Sequence, residues 1–186
     1  MARLILFGPP GAGKGTQAVS LAADFNIPHI STGDLFRAAI SGKTPLGLKV
    51  QSYLDQGQLV PDQVVIDMVQ ERLAQSDTDG GWLLDGFPRT IPQAETLDKL
   101  LTEMNQSCDR VINLQVPEQI LITRMLSRGR KDDNETVIQD RLQVYHRETA
   151  PILDFYRERN CLVDIDGDTA VEAVTDRIKA ALADLT

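Results

Sequence analysis

Scarcity gives the first reading of this chain. Aromatic residues are 5% of its 186 positions, and cysteine occurs twice, at Cys108 and Cys161, in no C-x-x-C pair. That count excludes a disulfide framework and offers no zinc knuckle. The two histidines, His29 and His146, lie far apart without metal-ligand spacing, so packing or surface roles are expected for both. No apolar run approaches the ~20 residues of a membrane-spanning helix, and "LILF" after Arg3 is too short for a secretory signal. A cytoplasmic protein that uses no membrane is expected. In that setting the glycosylation patterns at Asn105-Gln106-Ser107 and Asn134-Glu135-Thr136 are chance matches. Positive charge is also short: 19 Lys and Arg against 27 Asp and Glu leave a net charge of -8. An overall field of that sign argues against coating nucleic acid or anionic lipid, so any polyanion has to be met by a local cluster.

What is present is an alternation. Short apolar runs at 3–7, "GWLLD" (81–85), "RVINLQV" (110–116) and "CLVDI" (161–165) are each followed, after a turn, by a helical pattern. Strand-helix alternation predicts an α/β fold with a mostly parallel sheet covered on both faces, in a single domain spanning 1–186. Prolines mark helix starts: Pro61 before "DQVVIDMVQERL", Pro92 in "IPQAETLDKLL", Pro117 before "EQILITRML" and Pro151 before "ILDFYRER". Two stretches break the alternation. Residues 31–60 read as a helical insertion, and 127–135, "SRGRKDDNE", as a short polar loop.

Glycine is concentrated in "FGPPGAGKGT", Phe7 to Thr16, between the first strand and the first helix. Without a Cβ in the way, successive N–H groups there can converge on a phosphate at the helix N-terminus. The pattern Gly8-x4-Gly13-Lys14 in that strand-to-helix context points to a nucleotide phosphate loop, with Lys14 reaching the β- and γ-phosphates. The pattern asks next for Ser or Thr, but Gly15 stands there and Thr16 follows. Asp85, ending the strand "WLLD", is therefore assigned to Mg²⁺ through water; the plain alternative is an Asp that only ends a buried strand.

Thirteen of the 19 basic residues are Arg, and Arg124, Arg128, Arg130, Lys131, Arg141 and Arg147 crowd into one stretch. Arg124 and Arg128 stand i,i+4 on one predicted helix, where like charges cost about 0.2–0.5 kcal/mol. Binding phosphate oxygens gives a reason for the cluster, since charge-assisted hydrogen bonds contribute roughly 1.5–3 kcal/mol each. The neighbouring Asp132 and Asp133 either pair with those arginines or form an exposed acidic turn.

The G-K-G-T variant, together with "STGDLFR" (31–37), "GQLVPD" (57–62), "DGFPRTIPQAE" (85–95) and "RKDD" (130–133), resembles the adenylate kinases among the nucleoside monophosphate kinases. The motifs run in the family's order over nearly the whole chain. The resemblance implies a P-loop fold with a five-stranded parallel sheet, a mobile NMP-binding segment (31–60) and a mobile lid (127–135). That lid is of the short type, without structural zinc. It implies reversible transfer of a phosphoryl group from MgATP to AMP, giving two ADP, by a monomer. ATP would be met by Gly11, Ala12, Gly13, Lys14, Gly15, Thr16, Arg124, Arg128 and the backbone of Gly167. AMP would be met by Thr32, Arg37, Gln58, Leu59, Val60, Gly86, Phe87, Pro88, Arg89, Gln93, Arg130 and Arg141. Lys14, Arg89, Arg128, Arg130 and Arg141 would stabilise the transferring group, and Thr32 with Gln93 would select adenine.

Two rival readings stand beside this one. A UMP/CMP or other monophosphate kinase is disfavoured by Thr32 and Gln93. A non-catalytic nucleotide switch would need Ser or Thr at position 15 and, for guanine, N-K-x-D, and the chain has neither. Asp164, Asp166 and Asp168 fail the EF-hand spacing because Gly167 follows the second of them. Trp82 is expected in the core, Arg147 on the surface, and Tyr145 and Tyr156 are given no functional role.

Overall fold

The computed structural model describes residues 1–130 and 133–185, so Lys131, Asp132 and their expected roles lie outside the described residues. Among the described residues five parallel strands form one sheet: β1 (Ala2–Phe7), β2 (His29–Ser31), β3 (Gly81–Asp85), β4 (Arg110–Gln115) and β5 (Leu162–Asp166), in the order β2-β3-β1-β4-β5. Four of these strands match the apolar runs. The fifth, β2, is three residues long, too short for a periodic signal, and stands where the pattern showed no strand. It pairs with β3 at one edge, Ser31 opposite Asp85.

Alternating side chains serve two cores, because a strand's neighbours point to opposite faces. On one face Leu4 and Leu6 pack with Ala18 and Leu21 of α1 (Lys14–Phe25), Leu121 and Met125 of α6 (Glu118–Arg128), Ile138 and Leu142 of α7 (Glu135–Val144), and Val174 and Ile178 of α9 (Val171–Ala181). On the other face Ile5, Phe7 and the fully buried Trp82 pack with α2 (Thr32–Ser41), α3 (Pro45–Asp55), α4 (Asp62–Leu73), α5 (Ile91–Glu103) and α8 (Ile152–Arg157). Trp82 is in the core as expected, its indole N–H donating to Gln106 Oε1 at 3.1 Å. Val19 is 64% exposed, so the buried stripe of α1 runs through Gln17, Ala18 and Leu21 instead.

The helices leaving the neighbouring strands β1 and β3 lie on opposite faces: α1 in the first core, α5 in the second. A crevice therefore opens beyond the carboxyl ends of these strands, where ligands bind in open α/β sheets. The loop Gly8–Gly13 and the turn Gly86–Arg89 meet there. Residues 31–60, expected as a helical insertion, hold α2, α3 and the turn to Val60; α6 ends at Arg128 and α7 begins at Glu135. Asn134, one of the glycosylation matches, caps α7 instead, its Oδ1 accepting from Val137 N–H at 3.1 Å.

The two helices of the insertion touch through Gly47. A Cβ there would sit 2.2 Å from the carbonyl oxygen of Ala39. Overpacking of this kind costs about 1–3 kcal/mol. Urea denaturation of Gly47→Ala should show a loss of that order, whereas a midpoint equal to wild type would mean that α2 and α3 part without cost.

Candidate active site

The loop after β1 holds three glycines at positive φ. Gly11 (φ 83) is the most confined, since a Cβ would lie 2.9 Å from Leu121 O and 3.0 Å from Met125 Cγ. Gly13 (φ 95) enters α1 left-handed, and among the described residues no side chain caps that helix start. The first-turn amides are left to meet an anion, aided by the helix dipole. Lys14 fills the loop, its Nζ donating to Gly8 O at 2.7 Å and Pro9 O at 3.0 Å. Burial lowers its pKa from 10.5 to about 8; Asp85 opposes the shift, and Arg89, Arg141 and Arg128 add to it.

Two cavities meet at this loop. The larger, about 520 Å³, is lined by Lys14 and by the whole expected AMP set, from Thr32 and Arg37 through Gln58, Leu59 and Val60 to Gly86–Arg89, Gln93, Arg130 and Arg141. Thr32 Oγ1 donates to Gly86 O at 2.9 Å. The Gln93 amide is held at both ends, Oε1 accepting from Arg89 N–H at 2.7 Å and Nε2 donating to Asp62 Oδ1 at 2.7 Å. Arg89 Nε donates to Gly86 O at 2.7 Å. Desolvation first, then Arg141, lowers the pKa of this guanidinium. Arg37 reaches Asp34 Oδ1 at 2.5 Å on the outer wall.

The smaller cavity, about 210 Å³, is lined by Ala12, Gly13, Thr16, Gln17, Arg124 and Gly167 among others. Arg124 Nη2 donates to Gly167 O at 3.1 Å. Gly11, in the loop, and Gly15, in the first turn of α1, line neither cavity. Arg128 lines neither. It is held by Asp133, Nε to Oδ2 at 2.8 Å and Nη2 to Oδ1 at 2.6 Å, and the same carboxylate meets Arg141 Nη1 at 3.4 Å. With its side chain fully buried, Asp133 is a pairing residue and no exposed turn. Arg147 is a surface residue, 65% exposed beside Glu148.

Asp85 is 9% exposed at the end of β3, and its Oδ2 lies 4.0 Å from where a Cβ on Gly15 would stand. The missing side chain at position 15 thus leaves space beside the carboxylate. Among the described residues no group of three His, Cys, Asp or Glu side chains is placed to hold a metal ion. That donor set fits an ion brought in by the nucleotide, since Mg²⁺ keeps several waters and takes one or two carboxylates plus substrate phosphates.

A family model described as adenylate kinase matches residues 6–161. The chain belongs to the adenylate kinase family. It is 58% identical to the adenylate kinase of Cyanothece sp. over 183 residues, covering 96% of this chain and 94% of that protein. It is 54% identical to adenylate kinase 1 of Nostoc sp. over 182 residues, covering 98% and 99%. The adenylate kinase of Methanocella arvoryzae is 44% identical over 214 aligned positions, covering 98% and 99%.

Three residues around the site of this adenylate kinase escaped the sequence reading. His29 Nε2 comes within 3.4 Å of Asp85 Oδ2, a contact hidden because β2 itself was not legible. Tyr145, given no role, lines the larger cavity, and burial pushes its hydroxyl pKa up to about 12. Thr149 lines the same cavity from a π turn that leaves no periodic trace in the sequence.

Between pH 8 and 10.5 the unfolded chain binds the Lys14 proton that the native chain has released, so this residue's contribution to native stability becomes more favourable as pH rises through that window. Denaturation of wild type and Lys14→Met at pH 7 and 10 should show the wild type gaining on the variant. An unchanged difference would mean that the ammonium is not desolvated.

Proposed function

We propose that this adenylate kinase binds ATP in the smaller cavity and AMP in the larger, and transfers the terminal phosphoryl group between them reversibly, giving two ADP. The observation that carries the reading is the position of the phosphate loop. Gly8 and Lys14 face one cavity while Ala12, Gly13 and Thr16 face the other, so two nucleotides would meet end to end at the loop.

The chain's own groups supply position and charge. Phosphate oxygens would draw the Lys14 ammonium off the Gly8 and Pro9 carbonyls and restore the partner that burial has taken from it. Arg89, Arg130 and Arg141 would face the transferring group from the larger cavity, and Arg128 would join them from its seat on Asp133. In phosphoryl transfer negative charge spreads over the equatorial oxygens, and converging cations in a dry site stabilise that distribution. Mg²⁺ carried by ATP would neutralise further phosphate charge, with Asp85 holding its water shell.

Acceptor choice would rest on hydrogen-bond polarity. The Thr32 hydroxyl spends its proton on Gly86 O and keeps lone pairs for a donor. Gln93, oriented by Arg89 and Asp62, keeps one N–H for an acceptor. Adenine offers an exocyclic amine beside a ring nitrogen, which matches both, whereas uracil offers a carbonyl beside a ring N–H. A site built to pair its polar groups discriminates strongly against a ligand that leaves them unpaired.

Residues 31–60 and the lid would close over both nucleotides to exclude water from the transfer. Gly57 approaches α7, the helix that follows the lid, so closely that a Cβ would lie 2.7 Å from Arg141 Cγ, which supports a coupling of the 31–60 segment to that helix. Two free cysteines agree with a cytoplasmic setting.

ADP formation from MgATP with AMP, CMP, UMP and GMP offered separately should be rapid with AMP alone. Thr32→Ala should relax that preference, and an equal loss with every acceptor would refute the role of Thr32.

A further inference from the structure

The chain between α7 and α8, Tyr145–Thr149, is a π turn, marked by Ala150 N–H donating to Tyr145 O at 2.8 Å. Such turns are rare and are frequently found at functional sites. This one changes the direction of a side chain. An α-helix advances about 100° per residue, so eight residues beyond Arg141 a straight helix would present residue 149 about 80° off the face of Arg141. Over the π turn the advance falls to about 82° per residue, which returns residue 149 to within about 10° of that face. Arg141, Tyr145 and Thr149 accordingly line one cavity.

Thr149 is 6% exposed, and its Oγ1 donates to the carbonyl oxygen of Arg89 at 2.9 Å. Gln93 Oε1 accepts the N–H of the same residue, so the Arg89 peptide groups are fixed on both sides of its Cα. The guanidinium of Arg89 works against the field of Arg141, and two like charges stay near each other only if their backbones hold them there. The hydroxyl of Thr149 is the link between the helix that carries Arg141 and the turn that carries Arg89.

We propose that Thr149 is a positioning residue for phosphoryl transfer: through the π turn it sets the backbone of Arg89 relative to Arg141, so that the two guanidinium groups converge on the acceptor phosphate. This rests on the reading of Arg89 as a ligand of the AMP phosphate. Removing the hydroxyl leaves the shape of the side chain and frees the Arg89 carbonyl.

Steady-state kinetics with AMP and ATP varied separately test it on wild type, Thr149→Val, Thr149→Ser and Arg89→Lys, with thermal melts to establish that each is folded at the assay temperature. One hydrogen bond's worth of misplacement predicts a rise of about three- to tenfold in KM for AMP in Thr149→Val, KM for ATP within about twofold of wild type, and restoration by Thr149→Ser. A merely structural role would lower the melting temperature and leave the two KM values moving together. Equal changes in both constants, no change in either, or failure of Thr149→Ser to restore KM would overturn the proposal. An Arg89→Lys variant with unaltered KM for AMP would instead overturn the reading of Arg89, and the positioning role with it.

Discussion

Taking the ammonium of Lys14 out of water leaves it with two carbonyl oxygens and one carboxylate for company, and the same small volume also feels three guanidinium groups. Desolvating a charge is unfavourable unless it is paired and hydrogen-bonded, and much of the local architecture answers that demand. Asp85 ends β3 where its carboxylate bears on Lys14. Asp133 gathers Arg128 and Arg141. The chain as a whole carries the opposite balance, 27 acidic against 19 basic residues, so this gathering of cations is a local one. The cations that would meet phosphate oxygens are held ready by carboxylates that substrate would partly replace.

The parallel sheet allows this arrangement because the elements that bear charge all emerge at one edge. β1 delivers the phosphate loop, β3 delivers Asp85 and the turn to Arg89, and β5 delivers Gly167. β1 and β3 are buried along nearly their whole length, so Phe7 and Asp85 are fixed by a core before the functional loops begin. Loops can then carry close backbone approaches, as at Gly11, without losing their place.

Much of this was legible from residues alone. The phosphate loop announced itself because glycine spacing, a strand before it and a helix after it agree with one another. Four strands were visible as apolar runs and the helix starts as prolines. Three residues of β2 carry no period and were missed, and with them the approach of His29 to Asp85. Thr149 was missed for another reason. Its bond to Arg89 joins positions 60 residues apart, and the π turn that aims it has no signature that separates it from an ordinary helix. The partnership of Asp133 with Arg128 was left open between a pair and an exposed turn, because burial of one carboxylate in a polar loop depends on how α6 and α7 pack.

The sheet keeps its two cores apart, and they contribute unequally to the two cavities, with Leu6 of the first core reaching the larger one. Ala12 and Val174 belong to the first and line the smaller cavity; Phe36, Val60, Val65 and Phe87 belong to the second and line the larger. Under the proposed assignment of ATP to the smaller cavity and AMP to the larger, softening the second core would bear mainly on the acceptor, because Phe36, Val60, Val65 and Phe87 shape the wall that AMP would meet.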